Sequence, residues 1–212
     1  MPIAREGWPF ILTLLGLGTL ACLRVPVLGG LLVVLGLFVA FFFRDPERKP
    51  PPDETLVLAP ADGKVVRVAA ATDPNPCGSG ATQVSIFLSL FDVHVNRAPV
   101  AGRIAALEYR PGQFLPAFDE RASDRNEQNA VTLESDRGPV FLKQIAGLVA
   151  RRVVFRKRVG EQVARGERVG LIKFGSRVDL VLPRQVEVLV RVGDRVRGGS
   201  SAVGRFHEGG PS

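Results

Sequence analysis

The chain opens on two apolar runs, Pro9 to Leu23 and Val25 to Phe43, joined by the stretch LRVP; across both, Arg24 is the one charged residue. The second run has 19 residues, enough for a helix to span a bilayer core. Pro26 restricts the residue before it and favours a break there. The pattern predicts a helical membrane hairpin over residues 1–43, or one span beside a shallow, tilted helix. A cleaved signal peptide fits less well, because the first run lacks a strongly basic start and no small-residue cleavage site follows Leu23.

Residues 44–54 read as a juxtamembrane linker. Arg44, Arg48 and Lys49 follow the apolar run, and such charges stay on the cytoplasmic side. Pro50, Pro51 and Pro52 form an extended spacer. From Thr55 the pattern changes to short β-rich runs separated by turns, with no long amphipathic stretch. LVLAPADGKVVRVA reads as strand, turn, strand around Asp62-Gly63, and TQVSIFLSL as another strand. AVTLES and GPVFLKQIAGLVARRVVF suggest a hairpin running on into a long strand or short helix. The stretch from Pro111 to Asn129 reads as an irregular polar loop. The predicted fold is mainly β: a compact β-sandwich-like body, residues 55–212, behind the hairpin. VGEQVARGERVG at 159–170 faintly repeats as VGDRVRGGSSAVG at 192–204. Its turns resemble those of lipoyl and biotinyl carriers, but no matching lysine hairpin accompanies them.

Composition narrows the chemistry. The formal charge is +7, and because Arg5, Glu6 and Arg24 leave +1 up to Phe43, the body carries +6. With an apolar leader, that charge points to anionic lipid. A single Tyr and no interleaving of aromatic and basic residues argue against nucleic acid. Cys22 and Cys77 form no metal-ligand spacing or disulfide framework. His94 and His207 are the only histidines, so no multi-histidine metal site is expected.

The sharpest local signal is KFGSRVDLVLP at 173–183. A Gly-Ser pair alone usually makes a turn. In this setting it resembles the processing site of the short-form phosphatidylserine decarboxylases. FFFRDPERKPPP at 41–52 resembles that family's membrane-exit segment, LAPADGKVV at 58–66 its aspartate segment, and FDVHVNRAPVAGRI at 91–104 its histidine segment. The four occur in the family's order. NEQN at 126–129 resembles a family NERN stretch, which makes Asn129 a supporting candidate.

The resemblance implies a self-cleaving, pyruvoyl-dependent enzyme without a metal. Ser176 would attack the carbonyl of Gly175, activated by His94 as base, with Asp62 orienting and stabilising the imidazolium. Elimination and loss of ammonia would leave a large chain, 1–175, and a small chain, 176–212, opening on a pyruvoyl group. A Schiff base to that group would then let phosphatidylserine lose CO2 and become phosphatidylethanolamine. Arg97, standing near where longer family members carry a second histidine, and Lys143 are candidate phosphate contacts. A cell-membrane location and a homodimer are compatible with the same resemblance. Two other readings remain at this stage: a decarboxylase of an archaeal-type serine phospholipid, and a noncatalytic β module held on a membrane. A conventional serine hydrolase lacks its GxSxG elbow.

Overall fold

The computed structural model of the chain describes residues 2–72, 74–116, 119, 121–147, 153–173 and 176–207. The chain divides into two compact units, Met1–Glu47 and Arg48–Ser212.

The first unit is a helical hairpin, α1 (Trp8–Cys22) and α2 (Pro26–Phe42). Proline opens both helices at their first turn, where its missing N–H costs nothing. The two helices approach closely at glycines: a Cβ on Gly29 would lie 2.4 Å from the Cys22 amide nitrogen, and one on Gly36 2.8 Å from Leu15. Small residues at a crossing are how apolar helices pack without a water-driven core. Leu12, Leu20, Leu23, Val27, Leu31 and Val34 point outward. The base is tied by hydrogen bonds from the Ala4 amide to the Phe43 carbonyl (2.8 Å) and from the Asp45 amide to the Pro2 carbonyl (2.8 Å). The 19-residue run yields a helix of only 17 residues, because Phe43 leaves helical geometry and Arg44 bridges Ile3. At 1.5 Å per residue the helix is about 25 Å long, against a bilayer core of about 30 Å. Among the described residues, no helix is long and apolar enough to cross a membrane.

The second unit is mainly β. Its first seven strands are β1 (Leu56–Leu58), β2 (Gly63–Ala70), β3 (Thr82–Leu88), β4 (Val95–Arg97), β5 (Gly102–Arg110), β6 (Gln128–Ser135) and β7 (Gly138–Ala146). The others are β8 (Val153–Phe155), β9 (Gln162–Val163), β10 (Arg168–Ile172), β11 (Ser176–Leu182), β12 (Val186–Val188), β13 (Arg195–Val196) and β14 (Ala202–Phe206). One helical turn, α3 (Ala122–Arg125), interrupts the loop before β6. Eight strands form one curled sheet in the order β13-β2-β3-β11-β7-β6-β5-β9; the small sheets β1-β14-β12 and β4-β10-β8 share its aliphatic core. Asp62-Gly63 does not close a hairpin, as the sequence pattern suggested. β1 pairs with β14 and β2 with β3, so Gly63 simply begins a strand in another sheet.

The strand order is a palindrome of equivalent strands. β1, β2 and β3 with β11 to β14 form an outer copy; β4 to β10 form a second copy inserted between β3 and β11. Each residue pairing has its counterpart. Leu58 faces Ala202 as Arg97 faces Arg168, and Val196 faces Gly63 as Val163 faces Gly102. The register shifts between Val57 and Leu58 and between Val65 and Arg67 recur between Arg168 and Gly170 and between Ile104 and Ala106. The Gly193 amide donates to Val65 (2.9 Å) as the Gly160 amide donates to Ile104 (2.8 Å). Leu180 of β11 faces Leu142 of β7, and exchanging the copies returns the same pair, so a local two-fold axis passes through it. The faint repeat in the sequence is a visible part of this duplication.

Candidate active site

Ser176 is the first residue of β11, opposite Leu88 of β3 and Ala146 of β7. Alternation along β11 sends Ser176, Val178, Leu180 and Leu182 to the core face and Arg177, Asp179 and Val181 to the other; the three aliphatic residues after Ser176 belong to the main core. The Ser176 hydroxyl is fully buried, and among the described residues no hydrogen-bond partner satisfies it. A buried, unpaired hydroxyl costs stability, so it needs a reason. Gly175, the other half of the expected cleavage site, lies outside the described residues.

His94 lies between β3, whose last residue faces Ser176, and β4, and its carbonyl accepts from the Ile172 amide (3.3 Å) on β10. The side chain is buried. Nδ1 lies 3.0 Å from the Asp92 carbonyl. A carbonyl can only accept, so Nδ1 carries the proton and the lone pair of a neutral ring sits on Nε2. The turn behind it is fixed by the Asp92 carboxylate, which accepts from the Ser89 amide (2.8 Å) and hydroxyl (2.6 Å).

Asp62 lies between β1 and β2. One carboxylate oxygen accepts from the Gly198 amide (2.7 Å) and the other from Arg48 (2.8 Å). Arg97, buried at the end of β4, donates from Nη1 to the Gly166 carbonyl (3.0 Å). Its stem runs over Gly199, where a Cβ would come within 2.5 Å of it. Asp62 and Arg97 thus converge on the Gly198-Gly199 turn. The hairpin under Arg97 is braced by Lys157 and Glu167, 2.6 Å apart. Burial pushes the Glu167 carboxyl up, but Lys157 and the Ala164 amide outweigh it and hold it below its ordinary range.

Asn129 belongs to a buried amide chain that the sequence reading missed. Asn129 Nδ2 donates to Gln144 Oε1 (3.3 Å), and Gln144 Nε2 donates to Asn96 Oδ1 (2.7 Å). Gln144 faces Val178 in the register and so shares the Ser176 face. Asn126, from the same NEQN stretch, donates to the Ala146 carbonyl beside Ser176 (2.7 Å). The signal for Asn96 was its place two residues after His94; Gln144, inside an ordinary β-run, offered none.

Lys143 goes elsewhere. It faces Asp179 across the β7–β11 ladder, and therefore lies on the sheet face opposite Ser176. There it lines a cavity of about 450 Å³ with Arg67, Gln83, Glu108, Arg110 and Phe141. Cys77 packs on the same face, donating to the Val181 carbonyl (3.2 Å), and burial pushes its thiol up to about 11, far from a reactive thiolate.

Comparison with known proteins gives the family. A family model described as phosphatidylserine decarboxylase matches residues 35–204. A phosphatidylserine decarboxylase proenzyme of Symbiobacterium thermophilum is 50% identical over 205 residues, covering 96% of this chain and 95% of its own. Proenzymes of the same description from Solibacter usitatus, 48% identical with 97% of each chain covered, and Geotalea uraniireducens, 45% identical with 96% of each, align over comparable lengths. The chain belongs to the phosphatidylserine decarboxylase family.

Proposed function

We propose that the chain is the proenzyme of a phosphatidylserine decarboxylase, which cuts itself between Gly175 and Ser176 and then converts phosphatidylserine to phosphatidylethanolamine and CO2. The observation that carries this reading is the Ser176 hydroxyl at the head of β11, buried and without a hydrogen-bond partner among the described residues. A fold keeps such a group where chemistry uses it.

His94 Nε2 is assigned the proton of the Ser176 hydroxyl, since the Nδ1 bond to Asp92 leaves that nitrogen basic. The Asp92 carbonyl, rather than Asp62, orients the ring, and Asp62, held by Arg48 and the Gly198 amide, is assigned only the charge that favours the imidazolium. Attack on the Gly175 carbonyl replaces the peptide bond by an ester. Elimination then breaks the ester, and water releases ammonia from the new end of the small chain. A pyruvoyl group formed there would be held at the head of β11, opposite Leu88 and Ala146, and would supply the electron sink that lets an amino acid headgroup lose CO2. The chain's own residues exclude water and return a proton, again through His94. The amide chain Asn129–Gln144–Asn96 supplies fixed dipoles on the Ser176 face of the sheet.

The outward-facing leucines and valines of the hairpin support its seating in the apolar part of a bilayer, and Arg44, Arg48 and Lys49 favour a body on the cytoplasmic side.

Intact mass under denaturing conditions tests the reading. The wild type is expected as two chains split after Gly175, the smaller blocked at its amino end, and Ser176→Ala as one chain. A folded wild type that stays whole would overturn it.

A further inference from the structure

Immediately behind the reacting serine, on the far face of the sheet, lies a closed polar ring. Arg177 Nε donates to Asp179 Oδ1 (2.6 Å) and Arg177 Nη2 to Ser85 Oγ (2.8 Å). Gln83 Nε2 donates to both Ser85 Oγ (3.1 Å) and Asp179 Oδ2 (3.0 Å), and Ser123 Oγ donates to Asp179 Oδ2 (2.6 Å). The Arg177 and Asp179 side chains are 2% and 0% exposed. Two charges so deeply buried contribute little net stability compared with a well-packed apolar pair. Their value must lie in what they fix.

The duplication supplies an internal control. The counterparts of Arg177 and Asp179 in the inserted copy are Pro139 and Phe141, and those of Ser85 and Gln83 are Thr132 and Ala130, as the two ladders align. In that copy β6 and β7 are joined by a tight turn at Asp136 and Arg137, with Ser135 facing Gly138. In the outer copy the equivalent strands, β3 and β11, meet at Leu88 and Ser176. Their connection is the whole of residues 89–175. Where a short turn holds the hairpin there is no polar ring; where no short turn exists there is one.

We propose that Arg177 and Asp179 are positioning residues that clamp the head of the small chain to the large chain. The proposal rests on the reading that the chain is cut before Ser176. Every partner of the pair outside β11 belongs to the large chain: Ser85 and Gln83 on β3, and Ser123 on α3. Cutting leaves β11 with a free end at its first rung, and chain ends fray unless tied down. A one-residue slip would also turn the reacting residue from the His94 face to the cavity face. The aliphatic residues Val178, Leu180 and Leu182 resist such a slip only weakly at the frayed end. Arg177, with charge-assisted bonds that no neighbouring position can satisfy, locks the register one residue from the cut.

The test uses Arg177→Met with Asp179→Leu, which leaves no uncompensated charge, in the full-length protein and in an uncut Ser176→Ala background. Hydrogen exchange of the β11 amides and turnover of the cut form are measured. In the uncut background, β11 is expected to keep its protection to within about twofold. In the cut protein, exchange at the first residues of β11 rises about tenfold or more, and kcat falls about tenfold at little-changed KM. Equal protection of wild type and variant after cutting, or equal loss in cut and uncut forms, would overturn the clamp and leave an ordinary structural pair. If the double variant fails to fold, Ser123→Ala removes one large-chain bond without touching a charge. It is then expected to raise exchange in the cut form alone, and no change there overturns the clamp equally. A wild type that is never cut fails at the mass measurement instead, and the clamp falls with the function it serves.

Discussion

In the outer copy β11 opens on Ser176; at the same place in the inserted copy β7 opens on Gly138. Asp62 of the outer copy corresponds to Ala101, since APADG at 59–63 aligns with APVAG at 98–102. His94, Asn96 and Arg97 of the inserted copy correspond to Thr55, Val57 and Leu58, and Asn129 and Gln144 to Thr82 and Leu182. What the copies share is of another kind: Val178 with Val140, Leu180 with Leu142, Ile86 with Leu133, Val84 with Val131, all fully buried. Each copy therefore serves as the other's control. Equivalent residues that stay aliphatic carry the fold, and buried core-face positions that are polar in one copy and apolar in the other are where the candidate chemistry lies. The candidate residues are also divided between the copies, Ser176 and Asp62 lying in one and His94 and the amide chain in the other.

The sharpest way to break this comparison is to give one copy the other's residue. His94→Thr installs the residue of the equivalent position. If His94 moves the proton, the cleavage rate is expected to fall by about 10²–10⁴-fold, followed by intact mass over time. Near-normal cleavage would show that Nε2 is not the base. On the fold side, Leu180→Ala and Leu142→Ala sit on the two-fold axis. Each is expected to cost about 2–5 kcal/mol in denaturant unfolding of the uncut Ser176→Ala protein, with the two values within about 1.5 kcal/mol of each other. A larger gap would mean that the copies pack unequally around their axis.

A smaller effect separates the two kinds of residue more finely. Asn96→Val, Asn129→Thr and Gln144→Leu together convert the amide chain to its counterparts. Because donors and acceptors leave together, stability is expected to change by no more than about 1–2 kcal/mol. Turnover of the cut enzyme should nevertheless fall about tenfold, as fixed dipoles on the Ser176 face of the sheet are lost. Loss of stability with turnover unchanged per folded molecule would return these residues to the fold.

Some of this was legible in the sequence. The hairpin follows from a long stretch with one charge, and Ser176, His94 and Asp62 from short motifs in a fixed order. The duplication shows in the sequence at 159–170 and 192–204, and again at 59–63 and 98–102, where turn residues force similar sequences. Strands such as TQVSIFL and NAVTLES need only alternate buried and outward positions, so their kinship leaves almost no identity to read. The Asp62-Gly63 pair looked like a hairpin turn because local turn chemistry carries no record of which sheet the next strand joins. Arg177 and Asp179 were invisible for a related reason: an Arg-Val-Asp alternation reads as a solvent face, and only the cover supplied by Ser123 and α3 makes it an interior.

The smallest expected effect concerns Lys143, whose charge suggested a phosphate contact. Neighbouring strands of one sheet carry Lys143 and Ser176 on opposite faces. A headgroup bound at Ser176 would have to pass around the sheet to meet the ammonium. Lys143 also gains little where it is, since Asp124 lies 3.9 Å away and is 82% exposed, and such pairs contribute about 0–1 kcal/mol. Lys143→Ala is therefore expected to shift stability by about 0.5 kcal/mol or less. In mixed micelles of phosphatidylserine, kcat/KM should change by less than about twofold, for want of any contact with the transition state. A rise in KM of about tenfold at constant kcat would instead reveal binding shared by ground and transition states. In that case the substrate phosphate reaches the cavity face, and the site extends around the edge of the sheet rather than ending at Ser176.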